Sequence, residues 1–263
     1  MPPADSSGVN TRSDTYERTV NTAMYVFSDT NIGLTRKENQ DRVRTGILAD
    51  DAVFAVICDG MGGENAGSEA SERAIQVIYD RITKVFRRDY DDNSIKNLLI
   101  SAVTTANAVV YDVAWSDENM SGMGTTCVIA LKVGNKVHVI NVGDSRAYCI
   151  GENIDLITRD HTVVMRMYEN GEISYEDMKT HPQKNYITKA VGVKDMISPD
   201  YFVLDADENT AVLLCSDGLT NNCSEEDMFR VASSASPEDI PSELIKIALE
   251  NGGNDNISVA VIK

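Results

Sequence analysis

Ala52-Val53-Phe54-Ala55-Val56-Ile57-Cys58-Asp59-Gly60-Met61-Gly62-Gly63 is the stretch on which the fold turns. An apolar, strand-like run is closed by an aspartate, and a glycine-rich turn follows. Working outward, four more aspartates share this setting. Asp41 precedes Arg42-Val43-Arg44, and Asp144 follows Val137-His138-Val139-Ile140-Asn141-Val142-Gly143. Asp217 closes Ala211-Val212-Leu213-Leu214-Cys215-Ser216, and Asp255 precedes Ile257-Ser258-Val259-Ala260-Val261-Ile262. Carboxylates at strand ends can converge on one rim of a sheet although the strands are distant in sequence. Unpaired carboxylates repel one another and become stable around hard cations, which take oxygen ligands. The pattern predicts a magnesium or manganese site with more than one metal.

The segments between these aspartates alternate in character. Strands are expected over 24–28, 42–48 and 52–58. Ile75, Ile78, Ile82 and Val85 recur at helical spacing, as do Leu99, Ala102, Ala106, Val109 and Val113. Each set gives one apolar stripe, so two antiparallel amphipathic helices should pack on a sheet. Residues 124–150 read as a meander of hairpins turning at Gly134-Asn135 and Gly143-Asp144. A polar stretch, about 159–184, holds two of the three histidines and predicts one or two short helices on an excursion from the sheet. Strands resume near 186–191, 200–204, 211–215 and 257–262. Ser224-Glu225-Glu226-Asp227 and Ser236-Pro237-Glu238-Asp239 predict two capped late helices, the second with Pro237 at its first position. Strand runs interrupted by paired helices imply an α+β fold of antiparallel sheets with helices outside.

The chain has 263 residues, 42% of them hydrophobic and 25% charged, ordinary values for a globular protein. Its 41 acidic and 24 basic residues give a net charge of −17, which argues against nucleic acid or an anionic membrane face as partner. No run of about 18–20 apolar residues stands out as a membrane span, and the N-terminus lacks a signal-peptide core. The five cysteines are odd in number and form no Cys-x-x-Cys, so reduced core thiols and a cytoplasmic location are expected. Residues 1–22 read as a mobile tail, and 23–263 as a single domain.

Six ordered motifs carry a family resemblance. They are Gly33-Leu34-Thr35-Arg36-Lys37-Glu38-Asn39-Gln40-Asp41, Asp59-Gly60-Met61-Gly62-Gly63, Gly122-Met123-Gly124-Thr125-Thr126, Asn141-Val142-Gly143-Asp144-Ser145-Arg146, Ser216-Asp217-Gly218-Leu219 and Asp255-Asn256-Ile257-Ser258. Over about residues 24–263 the chain resembles the PPM (type 2C) metal-dependent serine/threonine protein phosphatases in their compact bacterial form. The resemblance implies a four-layer α-β-β-α sandwich of two antiparallel sheets flanked by helix pairs, with a flap subdomain at about 159–184. It implies two, or three, Mg2+ or Mn2+ ions. Asp59 would bridge two ions, the Gly60 carbonyl would ligate one, and Asp217 and Asp255 would hold the other. Asp41 would act through bound water, Gln40 would orient such a water, and Asp144 with Asp217 would hold a third ion. Arg36 would bind the phosphoryl group, a task suited to its planar fork.

The reaction implied is hydrolysis of phosphoserine and phosphothreonine in proteins by a metal-activated water. The partners implied are phosphorylated proteins and a serine/threonine kinase whose work is reversed, with the enzyme a monomer. Met61 stands where some relatives carry a histidine proposed as general acid, so the proton donor is open. His161 is a candidate to help the leaving group. His181 and His138 read as structural. Cys58 is not a phosphatase nucleophile, because Glu64 stands where Cys-x5-Arg requires arginine. Two alternatives stay open: a pseudophosphatase that binds phosphoproteins, and a phosphomonoesterase acting on small molecules.

Overall fold

A computed structural model of the chain describes residues 24–63 and 65–263. The predicted tail, residues 1–22, lies outside the described residues. The first strands are β1 (Val26–Asn31), β2 (Asp41–Ala49) and β3 (Ala52–Met61), followed by helices α1 (Ala66–Val85) and α2 (Asp92–Ser116). Next come β4 (Gly124–Thr125), β5 (Cys127–Val133), β6 (Lys136–Val142), β7 (Arg146–Ile150) and β8 (Ile154–Leu156). Helices α3 (Val163–Glu169) and α4 (Tyr175–Thr180) precede β9 (Asp200–Asp205) and β10 (Ala211–Cys215). The chain ends with α5 (Asp217–Thr220), α6 (Glu225–Ser234), α7 (Ile240–Glu250) and β11 (Ile257–Ile262).

The strands form two antiparallel sheets, ordered β1-β11-β10-β7-β8 and β2-β3-β5-β6-β9, with β4 pairing antiparallel to the end of β3. Strand alternation explains the layers. Val53, Ala55 and Ile57 face Val212, Leu214, Ala260 and Ile262 of the other sheet. Phe54, Val56 and Cys58 face the helix pair, against Ile75, Ile78, Leu99 and Ala102. Covered on both faces, residues 52–58 of β3 are uniformly apolar rather than alternating. On the far side, Leu213, Cys215, Val259 and Val261 pack under α6 and α7 with Met228, Val231 and Leu244. The expected α+β sandwich of four layers is the observed architecture.

Four expectations need correction. Gly143-Asp144 is not a hairpin turn. Strand β6 pairs with β5 and β9, whereas β7 pairs with β10 and β8, so the chain there crosses between sheets. Gly143, at φ +105°, makes the crossing possible: a Cβ would lie 2.6 Å from Thr126 Cγ2. Second, residues 186–191 form no strand, only the bridges Thr162–Ile187 and Thr125–Val191. Third, the last helix begins at Ile240, with Asp239 at its N-cap and Pro241 in its first turn. Pro237 lies in the preceding turn, which Ser236 closes onto Asp239. Fourth, α2 is long and apolar enough, by length and composition, to cross a membrane. Here its Leu98, Leu99, Ala102, Val103, Ala106 and Val110 are spent on the core beneath α1 and the sheet.

Candidate active site

Antiparallel pairing gathers the five aspartates. It sets the start of each strand beside the end of its neighbour. Thus Asp41, opening β2, lies directly opposite Asp59 near the end of β3. Cys215, at the end of β10, pairs with Val259 of β11 and with Arg146 of β7. Asp217 therefore emerges beside Asp255, just ahead of β11, and Asp144, just ahead of β7. The electrostatic reach follows this geometry: Asp59 feels Asp41, Asp217, Asp144 and Asp255.

The cluster is costly when its charges are uncompensated. Burial pushes Asp41 up to about 6, reinforced by the charges of Asp217 and Asp255 and opposed by the Ser216 and Ser258 hydroxyls. Burial also pushes Asp217 up to about 6, with Asp255 adding repulsion. Asp144 rises to about 8 through burial, then through Asp217 and Asp160. Asp59 is held well above the usual carboxylate range, by burial first and its four neighbours next. Asp41 Oδ1 and Asp217 Oδ1 are buried with no hydrogen-bond partner. An orphaned carboxylate oxygen in the interior is expensive, and a hard cation removes that cost by taking it as a ligand. The donors are all oxygens, which fits Mg2+ or Mn2+. Among the described residues, no group of three His, Cys, Asp or Glu side chains is arranged around one point. The fit therefore rests on oxygen chemistry, orphaned atoms and mutual repulsion, not on a finished cage.

Supporting residues hold the rim by its backbone. Thr126 Oγ1 accepts from the Asp59 amide at 3.0 Å, and the Thr126 amide and Thr125 hydroxyl donate to the Asp59 carbonyl. Ser216 Oγ donates to Asp41 Oδ2 at 2.7 Å and accepts from the Ser258 amide at 3.0 Å. Asn256 clamps the 32–40 loop: its Oδ1 accepts from the Gln40 amide, and its Nδ2 donates to the carbonyls of Ile32 and Glu38. Thr126, Ser216 and Asn256 lie inside the sequence motifs, yet their role appears only in the fold. Nothing local distinguishes a buried polar clamp from any other Ser, Thr or Asn. Gly60 sits where a Cβ would collide with the Gly67 carbonyl, so α1 approaches the rim closely. The Gln40 side chain lies against Gly67 at the start of that helix.

Arg36 and Asp255 occupy each other. Arg36 Nη2 lies 2.8 Å from Asp255 Oδ2, while Asp255 Oδ1 accepts from the Asn256 amide. Phosphate and metal would have to exchange this pair. That is a small barrier, because the arginine side chain is 53% exposed and such pairs contribute about 0–1 kcal/mol.

His161, the candidate to help the leaving group, lies beneath the Gly143 crossing. Its Nδ1 accepts from the Gly143 amide at 3.0 Å, which leaves the proton on Nε2, 3.1 Å from Asp200 Oδ2. Lys189 holds the other oxygen of Asp200 at 2.8 Å. The ring is buried, and burial lowers its pKa. Nδ1 is occupied by the Gly143 amide, whereas Nε2 is buried beside Asp200 without an aligned hydrogen bond, and the ring sits as a strut beneath that crossing. His181 accepts from the Gln183 amide in an exposed turn, and His138 pairs with the Tyr201 hydroxyl within the sheet.

Strand-end carboxylates on one rim of a four-layer sandwich define a class. Residues 35–244 match the protein phosphatase 2C family, and the chain belongs to it. The serine/threonine phosphatase stp of Listeria monocytogenes is 34% identical over 242 residues, 91% of this chain and 96% of the relative. Protein phosphatase PhpP of Streptococcus pneumoniae is 32% identical over 235 residues, 89% of this chain and 94% of the relative. The structure of serine/threonine phosphatase Stp1 from Staphylococcus aureus superposes with a TM-score of 0.85 at 33% identity, covering 92% of this chain and 95% of that one. The PstP catalytic domain in complex with two manganese ions superposes at 0.80 and 27% identity, covering 92% and 98%.

Proposed function

We propose that the carboxylate rim is the hydrolytic centre of a protein serine/threonine phosphatase that uses divalent metal. The protein removes phosphate from phosphoserine and phosphothreonine in phosphoproteins. The observation that carries this reading is the convergence of Asp41, Asp59, Asp144, Asp217 and Asp255 on one rim, with burial and mutual repulsion raising four of them. Asp59, the Gly60 carbonyl, Asp217 and Asp255 would hold the ions, Asp41 would act through bound water, and Asp144 with Asp217 would offer a third place. The two-manganese complex of PstP supports the count of two.

When bound, the ions supply a water acidic enough to attack phosphorus near neutral pH and share the phosphoryl charge. This chain's own residues do the rest. Arg36 leaves Asp255 and takes phosphoryl oxygens through its planar fork. Asn256 holds the loop that carries Arg36, and Thr126 and Ser216 fix the carboxylates that orient the centre. Met61 has no proton to give and His161 is buried with Nδ1 occupied by the Gly143 amide, so the leaving oxygen takes its proton from water. The enzyme acts as a monomer opposite a serine/threonine kinase, in the cytoplasm, a location supported by five free thiols, four of them buried.

The test is phosphate release from a phosphothreonine peptide with EDTA, with magnesium and with manganese, beside Asp217→Asn. Metal-dependent turnover lost in the variant is expected. Peptide binding without turnover under any metal would overturn the reading in favour of a phosphoprotein-binding module.

A further inference from the structure

A cavity of about 310 Å3 opens between the carboxylate rim and the α3–α4 segment. Asp144 and Asp217 line it, so it is continuous with the candidate centre. Val164, Met165, Tyr175 and Met178 give it an apolar wall. Three cations also line it, and they differ in state. Arg146 is held by Asp160, with Nη2 2.6 Å from Oδ2. Lys179 pairs loosely with Glu176 at 3.3 Å. Lys184 has no carboxylate within 4 Å among the described residues and is exposed. On a chain of net charge −17, beside an acidic rim, an unmatched ammonium at the cavity is a place where an anion gains rather than loses.

We infer that this cavity is a recognition subsite for the substrate chain beside the phosphorylated residue, selecting peptides that carry a carboxylate side chain there. This rests on the phosphatase reading above. The apolar wall covers the stem of the flanking side chain, and Lys184, with Lys179 beside it, meets the carboxylate. The occupant is an acidic phosphopeptide because charge complementarity and continuity with the rim both select it. A basic flanking residue at Lys184, the lining cation without a carboxylate partner among the described residues, would meet like charge and lose affinity.

The test compares kcat/KM for phosphothreonine peptides bearing glutamate, alanine or lysine at the flanking positions, with p-nitrophenyl phosphate as a substrate lacking any flank. The glutamate peptide is expected to exceed the lysine peptide by about two- to fivefold, the scale of an exposed ion pair. The preference should shrink in 1 M salt, where screening acts within about 3 Å. Lys184→Glu should reverse the order, and Lys184→Ala should flatten it, with p-nitrophenyl phosphate turnover unchanged in both. An order unchanged by Lys184→Glu, or no dependence on the flanking charge, would overturn the subsite and leave the phosphatase reading intact. No hydrolysis of p-nitrophenyl phosphate by the unsubstituted protein with manganese would overturn both.

Discussion

The carboxylate rim and the 159–198 excursion border the same cavity but are held by different means. At the rim, buried side chains bond to backbone across large sequence separations: Thr126 to Asp59, Ser216 to Ser258, Asn256 to the 32–40 loop. In the excursion, α3 and α4 are closed by their own caps, Thr162 on Met165 and a Ser174–Asp177 capping box. Exposed pairs such as Arg159–Glu169 and Lys179–Glu176 add to these caps, while long-range contacts fasten the ends of the excursion: Arg146 on Asp160, the Gly143 amide on His161, and Asn107 on Gly192, Lys194 and Asp195. The difference teaches a division of labour. Chemistry that depends on ångström-scale placement is built on strand ends that cannot shift alone. Recognition is built on short local elements that can vary without disturbing the sheets.

The sharpest way to break this contrast is to neutralise the rim. Asp59→Asn should reduce turnover by on the order of 10²–10³-fold or more, the scale of losing one electrostatic group in a site. It should also raise the melting temperature of metal-free protein, because a repelling buried charge has gone. A variant both inactive and less stable in EDTA would mean that Asp59 is structural.

Metal removal is the next largest test. Asp41 and Asp217, at about 6, and Asp144, at about 8, lie above their ordinary value of 3.8. Raised groups stabilise the fold fully below the unfolded pKa and lose that contribution as pH rises through the folded pKa. Melting temperature in EDTA should therefore fall from about pH 4 to about pH 8 and recover with manganese. A flat profile would show that the cluster is compensated without metal.

Asn256→Ala removes one acceptor and two donors from the 32–40 loop. It should cost about 1–3 kcal/mol in denaturant unfolding and lower kcat/KM through Arg36. Unchanged stability would remove the clamp from the rim's account. His161→Ala should cost about 1–3 kcal/mol by orphaning the Gly143 amide, whereas His161→Asn, which can still accept that bond, should retain more stability and activity. Equal loss of turnover in both, with unchanged stability, would instead restore His161 as a proton donor. Smallest is Ser174→Ala. It should loosen α4 by about 0.5–2 kcal/mol, seen as faster amide exchange there, with rim amides unmoved.

The sequence by itself determined which residues could hold a cation and where strands must lie. Asp59 after a doubly covered apolar run, and Asp217 and Asp255 flanking two more, are local patterns, and the stripes of α1 and α2 are local too. Gly60 and Gly143 read as turn residues, and the backbone and side-chain neighbours that forbid a Cβ there are visible only in the fold. Only the tertiary structure decided that the Gly143-Asp144 step crosses between sheets, because turn chemistry is the same whichever sheet receives the next strand. It likewise decided that residues 186–191 stay as isolated bridges, that the Gly143 amide occupies His161 Nδ1 with Asp200 beside the ring, and that Arg36 rests on Asp255. These contacts join residues between 18 and 219 positions apart, brought within 3.1 Å by packing. Periodicity reports the face a residue presents. The identity of what meets that face is a property of the assembled sheets, where burial makes every unsatisfied polar atom find a partner or raise its energy.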